Sequence, residues 1–122
     1  MLLKDELTEL LLKIGETNLN PSDLFTEEKP SLFLPEGRTI YLEDDYYYIV
    51  SVERGKINSE KKFENKEDIL YYLLQSYVIR IASKKAWTNA NRDFELYGTL
   101  FEEEQIRLFS IIDPKYGERR RK

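Results

Sequence analysis

The segment Tyr46-Tyr47-Tyr48-Ile49-Val50-Ser51-Val52-Glu53 decides the fold class. Aromatic and β-branched residues fill it, and neither Gly nor Pro interrupts it, which is the composition of a strand. A period of two puts Tyr46, Tyr48, Val50 and Val52 on one face and Tyr47, Ile49, Ser51 and Glu53 on the other. Turn residues bracket the segment: Glu43-Asp44-Asp45 before it and Arg54-Gly55-Lys56 after it. Residues 39–42 then read as the preceding strand and 57–63 as the following one. Turns this short join only antiparallel neighbours, so the region is a meander. Its last strand is polar, with Lys61 and Lys62, and suits a sheet edge, where lysine discourages further pairing. Upstream, Pro35-Glu36-Gly37-Arg38 reads as a turn and Leu32-Phe33-Leu34 as a short fourth strand.

Helical patterns flank the meander. Leu3, Leu7, Leu10, Leu11 and Ile14 form one stripe, and Gly15 stands where a helix end prefers glycine. Residues 18–30 read as a loop, in which Asn20-Pro21-Ser22-Asp23 caps a short turn over Leu24 and Phe25. Asn65 and Asp68 have capping-box spacing ahead of a long helix, residues 69–87. That helix is apolar almost all round: Leu70, Leu74, Tyr77, Val78 and Ile81 share one face, with Ile69, Tyr72 and Leu73 beside it. This marks a central core helix. Residues 88–91 break it. Phe94, Tyr97, Phe101, Leu108 and Ile112 share one face of a further helix, and Asp113-Pro114 ends that helix and caps a short third one. The expected fold is α+β: an N-terminal helix, an antiparallel meander of three or four strands, then two or three C-terminal helices packed on one sheet face. With 122 residues, the chain is expected to be a single domain spanning 1–122.

Composition narrows the chemistry. Leu, Ile, Val and Phe make up 36 of 122 residues, well above the level of disordered chains. There is no His and no Cys, which removes Ser-His-Asp and Cys-His nucleophilic sites, zinc fingers, iron–sulfur ligation and disulfides. The five glycines at 15, 37, 55, 98 and 117 are too dispersed for a phosphate loop. No cofactor is expected. Lys4-Asp5-Glu6 interrupts any signal-peptide core, and the longest nearly uncharged run, 69–79, is too short to span a bilayer, so a cytoplasmic protein without membrane partner is expected.

The net charge of −4 is unevenly spread: residues 1–53 carry −8 and residues 54–122 carry +4. The basic excess lies in Lys115, Arg119, Arg120, Arg121 and Lys122. An acidic body repels nucleic acid and attracts basic partners. The tail reads as a solvated helix end that suits the helix dipole. Tyr46, Tyr47, Tyr48, Tyr71, Tyr72 and Tyr77 read as core-rim residues rather than base-stacking platforms. One constellation offers catalysis. Asp45, or its neighbour Asp44, followed by Glu60-Lys61-Lys62, is similar to the Asp…Glu-x-Lys pattern of Mg²⁺ nucleases, in which two carboxylates hold the metal and the lysine activates water. The alternative is a hairpin turn and a charged edge strand, and Lys61 stands where that pattern wants an apolar residue.

Tyr46-x-Tyr48 with Glu53-Arg54-Gly55, followed by Leu70-Tyr71-Tyr72, resembles a family of small bacterial immunity proteins encoded beside polymorphic toxins. Asn91-Arg92-Asp93, Phe101…Gln105 and Pro114-x-Tyr116-x-x-Arg119 extend the resemblance to residue 120. It implies a protein that binds and neutralises a cognate toxin, by blocking the toxin's active site or substrate groove, without catalysis of its own. The other non-catalytic reading is an adaptor module of another system. A toxin with a basic nuclease cleft would meet an acidic surface. Glu43, Asp44 and Asp45 with the adjoining Tyr46 are the expected contact, since a turn projects charges from a rigid scaffold. Glu102-Glu103-Glu104 is the competing acidic run, but consecutive helical residues fan around the axis. Glu53 and Arg54 either meet the partner or pair with helix charges such as Asp93.

Overall fold

A computed structural model describes residues 2–30 and 34–122. The elements follow the order α1 (Leu3–Leu12), β1 (Asp23–Phe25), β2 (Gly37–Glu43), β3 (Tyr46–Glu53), β4 (Lys56–Phe63), α2 (Lys66–Ala90), α3 (Phe94–Ile112) and α4 (Pro114–Arg121). The fold is α+β. The chain divides into two compact units. One comprises residues 18–70 with the start of α1, and the other comprises 7–17 with 71–122.

In the first unit the sheet order is β1-β2-β3-β4. β2, β3 and β4 form the antiparallel meander, with Glu43 opposite Tyr46 and Glu53 opposite Lys56. Each hairpin loop therefore has two residues. β1 differs from expectation. Residues 23–25 form a strand parallel to β2, not a helical turn. Asn20 does make a turn: its side-chain Oδ1 accepts from the Ser22 N–H at 3.0 Å. The chain leaves it extended because Asp23 pairs with Arg38, its register partner, through two hydrogen bonds of 2.7 and 2.6 Å. The Asp23 side chain is only 1% exposed, so this pair fixes the edge of the sheet. The Ser22 carbonyl accepts from Arg38 N–H, and a β-carbon on Gly37 would collide with it. Leu32 and Phe33 lie outside the described residues, and Leu34 is not in a strand.

Both sheet faces are buried at the centre. Ile40 and Ile49 fill one side; Tyr41, Val50 and Val52 cluster on the other, with Leu34 and Tyr48 against them. β4 is exposed along its length except Phe63, as an edge strand should be. Asn65 caps α2 by accepting from Asp68 N–H at 2.9 Å. Ile69 and Leu70 in its first turn are buried.

The second unit is helical. Gly15, at φ 81°, ends the first helix: its N–H reaches the Leu12 carbonyl and Glu16 N–H reaches that of Leu11, the Schellman pattern. α2 buries Leu73, Leu74, Tyr77 and Val78, then Ala82, Ala86 and Ala90. It continues through residues 88–90 and stops at Asn91 and Arg92, both at positive φ. The Asp93 carboxylate caps α3, accepting from Leu96 N–H at 3.1 Å. Asp113 ends α3 and caps α4, where Pro114 takes the first position. α4 lies so close to α3 that a β-carbon on Gly117 would strike Ser110.

Candidate functional site

The β2–β3 loop is Asp44-Asp45, with φ of 50° and 67°. Positive φ at both central residues is the mark of a type I′ turn, whose twist suits a two-residue hairpin. Such turns prefer Asn-Gly or Asp-Gly, because only glycine reaches that region without a β-carbon penalty. Here the second position holds another carboxylate. Asp44 and Asp45 are exposed, and Glu43 is half-buried at the base of the turn.

Tyrosines stand behind the acids. Tyr41 and Tyr48, register partners, stack with centroids 5.2 Å apart. Lys62 Nζ lies 3.8 Å from the centroid of the Tyr46 ring, a cation–π contact. Burial pushes the Tyr41 hydroxyl's pKa up, and the charges of Glu60 and Glu43 push it further in the same direction. The sheet face near this turn thus carries aromatic rings with carboxylates beside them.

On the opposite face, at the same end, a cavity of about 350 Å³ opens to solvent. Leu42 and Tyr47, paired across β2 and β3, form one wall, with Ile40 and Phe25 beside them. Leu2 and Leu3 form the other wall, and Lys4, Thr26, Glu27 and Tyr41 complete the lining.

Glu53 and Arg54 are not part of this end. They sit at the β3–β4 turn, the far end of an eight-residue strand. At about 3.3 Å per residue, Tyr46 and Glu53 are roughly 23 Å apart. The expected contact residues therefore form two patches. Arg54 and Gly55 make the second turn, with φ of 53° and 76°. Glu36 Oε1 accepts from Gly55 N–H at 2.9 Å and ties this turn down. Neither Glu53 nor Arg54 has an ion-pair partner among the described residues.

Asp45, Glu60 and Lys62 are not assembled either. Glu60 lies opposite Val50 and Lys62 opposite Tyr48, whereas Asp45 lies beyond Tyr46. About 16 Å of strand separates Asp45 from Glu60. Among the described residues no three acidic side chains gather to hold a metal ion.

The helical unit holds two aromatic features. Tyr71 is packed by Phe109, Tyr116 and the Arg119 guanidinium at 5.0, 5.6 and 4.3 Å. Arg120 donates to Gln105 at 3.2 Å, so the basic tail is docked on its neighbours as well as solvated. The second feature is an aromatic ladder, Trp87–Phe94–Tyr97–Phe101, with Trp87 at 5.5 Å from both Phe94 and Tyr97. Phe94 is 75% exposed, so it is not the core residue its spacing suggests. Glu104 is buried beside Arg107 and Lys85. Hydrogen bonds from Arg107 hold its carboxyl below the usual range, against the effect of burial. The run 102–104 thus loses one of its charges to an internal ion pair.

The chain is α+β; its first unit carries an acidic, aromatic hairpin end and its second an aromatic helical surface. Over residues 43–122, about two-thirds of its length, the sequence matches the family Immunity protein 63. The chain belongs to that family. No curated protein and no solved structure matches it. The match begins at Glu43, so it takes in the acidic turn, β3, β4 and the three C-terminal helices. Immunity families bind a cognate toxin and suggest its neutralisation. Tyr71, Tyr116 and Arg119, far apart in sequence, meet in one cluster, which gives the Leu70-Tyr71-Tyr72 and Pro114-x-Tyr116-x-x-Arg119 motifs a packing role. Among the described residues no helix is long and apolar enough to cross a membrane.

Proposed function

We propose that this protein neutralises a bacterial nuclease toxin in the cytoplasm, as a single non-catalytic domain, by covering the toxin's basic substrate cleft with the β2–β3 end of its sheet. Glu43, Asp44 and Asp45 supply the charge and Tyr46 the adjoining aromatic anchor. Glu53 and Arg54 lie too far along β3 to join that contact and form a subsidiary patch. The observation that carries the reading is the pair of non-glycine residues at positive φ in the acidic turn. A glycine at position 45 would relieve the backbone. A second carboxylate there trades stability for charge at the tip, and strain retained in this way is characteristic of functional loops.

The test begins with capture of the partner from the native strain by the tagged full chain. The recovered protein is then expressed in a sensitive host with and without the chain. The expected result is toxicity with degraded nucleic acid, relieved by co-expression. A toxic partner that leaves nucleic acid intact would remove the nuclease assignment but keep neutralisation. A non-toxic partner would overturn neutralisation in favour of an adaptor role.

A further inference from the structure

The cavity beside the acidic turn has no part in the contact described above, and its position gives it one. Leu42 and Tyr47 form the pair next to Glu43 and Tyr46, so the cavity wall lies about 7 Å along the strand from Asp44. Its lining is mainly apolar: Leu2, Leu3, Phe25, Ile40, Leu42 and Tyr47. Leu2 and Leu42 remain 52% and 40% exposed. An apolar cavity of about 150 Å³ already admits a benzene ring, so about 350 Å³ accepts an aromatic or a large aliphatic side chain. On the lining Glu27 and Lys4 offset each other, and the unbalanced charge comes from Asp44 and Asp45, exposed at the adjoining turn that follows Leu42 and Glu43.

We propose that this cavity is a socket for one apolar side chain of the toxin, presented between basic residues. The inference rests on the toxin-binding reading and adds a second kind of contact to it. The acidic turn acts at long range and governs how fast the partners meet. The socket acts at contact and governs how long they stay, because burying an apolar anchor in a desolvated pocket slows dissociation. The adjoining acidic turn selects the flanks: a side chain arriving between Lys or Arg residues brings its counter-charges with it, whereas one flanked by acids meets repulsion.

The test uses the full chain labelled with ¹⁵N and three capped tripeptides. Acetyl-Arg-Phe-Arg-amide should shift the amide signals of Phe25, Thr26, Leu42 and Tyr47 in a saturable way. Acetyl-Arg-Ala-Arg-amide and acetyl-Glu-Phe-Glu-amide should bind at least about tenfold more weakly, the scale of one lost anchor. Thr26→Phe, which fills the socket, and Leu2→Gln, a neutral polar change at an exposed lining position, should each abolish the shifts. Leu2→Gln keeps the test decisive if Thr26→Phe does not fold. Equal shifts from the alanine peptide would overturn the socket, as would equal shifts from the acidic peptide or none from any. A parallel measurement separates this proposal from the reading beneath it. If the native chain neither binds nor neutralises the captured partner, toxin binding itself fails. If the native chain neutralises it and both variants dissociate from it at the native rate, the socket fails while neutralisation stands. The expected result is dissociation faster by about tenfold in both variants, with association unchanged in Thr26→Phe.

Discussion

The two ends of β3 solve one geometric problem with different residues. Both hairpins close through two residues at positive φ, at Asp44-Asp45 and Arg54-Gly55. The second follows the local rule, with glycine where the backbone demands it, and its Gly55 N–H is held by Glu36. The first departs from that rule and keeps carboxylates at both positions. Around the second turn Glu53, Arg54 and Lys56 mix charges of both signs; around the first Glu43, Asp44 and Asp45 are all negative. On the reading proposed above, the second turn serves the fold and the first carries an added demand for charge.

The largest expected effect removes the comparison altogether. Ile49 lies between the two turns and is 2% exposed. Ile49→Ala should destabilise the protein by about 2–5 kcal/mol, the range for buried aliphatic truncation, measured by denaturant unfolding. A loss below about 1 kcal/mol would show that β3 is not anchored where the structure puts it.

Reversing the acidic end should separate the turns in binding. Glu43, Asp44 and Asp45 changed together to Lys should slow association with the captured partner by about tenfold or more at low salt. The paired change Glu53→Lys with Arg54→Glu keeps net charge constant and should alter the rate by less than about twofold. Equal effects at the two ends would erase the functional distinction between them.

A smaller effect tests the trade at Asp45. Asp45→Gly should stabilise the fold by up to about 1 kcal/mol, because glycine occupies positive φ without the β-carbon penalty, and should weaken partner binding. Gly55→Asp is the mirror experiment. A β-carbon there meets nothing within 4 Å, so its cost is confined to the backbone. It should destabilise by about 1 kcal/mol and leave binding unchanged. Thermal unfolding of both variants checks the signs. Destabilisation by Asp45→Gly would mean that the carboxylate stabilises the turn and that no strain is retained there for function.

Much of this was legible in the sequence because local chemistry wrote it. Alternation from Tyr46 to Glu53 is readable without tertiary information, and so are the caps at Asn65 and Asp113. β1 was not legible: three residues carry no period, and what extends them is Arg38, fifteen positions on. The spacing of Phe94, Tyr97 and Phe101 correctly puts them together on one helix face. Spacing cannot say whether that face is covered, and Phe94 is largely exposed. The acidic turn was legible as a site candidate. The cavity was not, because its walls come from four separate segments. The separation of Glu53 and Arg54 from the acids was available in the strand length itself: eight extended residues put the two turns at opposite ends.

The finest test reads the electrostatic reach of each end. Tyr41 has its hydroxyl pKa raised by burial, then by Glu60 and Glu43. All three disfavour the phenolate in the folded state. The resulting stabilisation is complete below the pKa of the unfolded tyrosine, near 10, and is lost as pH rises through the higher folded value. Glu43→Gln removes one of the negative charges. Tyr41 should then titrate at a lower pH than in the native chain, yet still above the ordinary value, because burial and Glu60 remain. The alkaline loss of stability should begin correspondingly earlier. Glu53→Gln, at the other end of β3, should leave the Tyr41 titration where it was, since Glu53 is absent from the charges that act on it. Residue-resolved NMR of the tyrosine ring carbons distinguishes Tyr41 from the other eight tyrosines. If Glu53→Gln moves Tyr41 as far as Glu43→Gln does, the field at this face belongs to the whole sheet. The acidic turn would then not be a local feature that a partner could read.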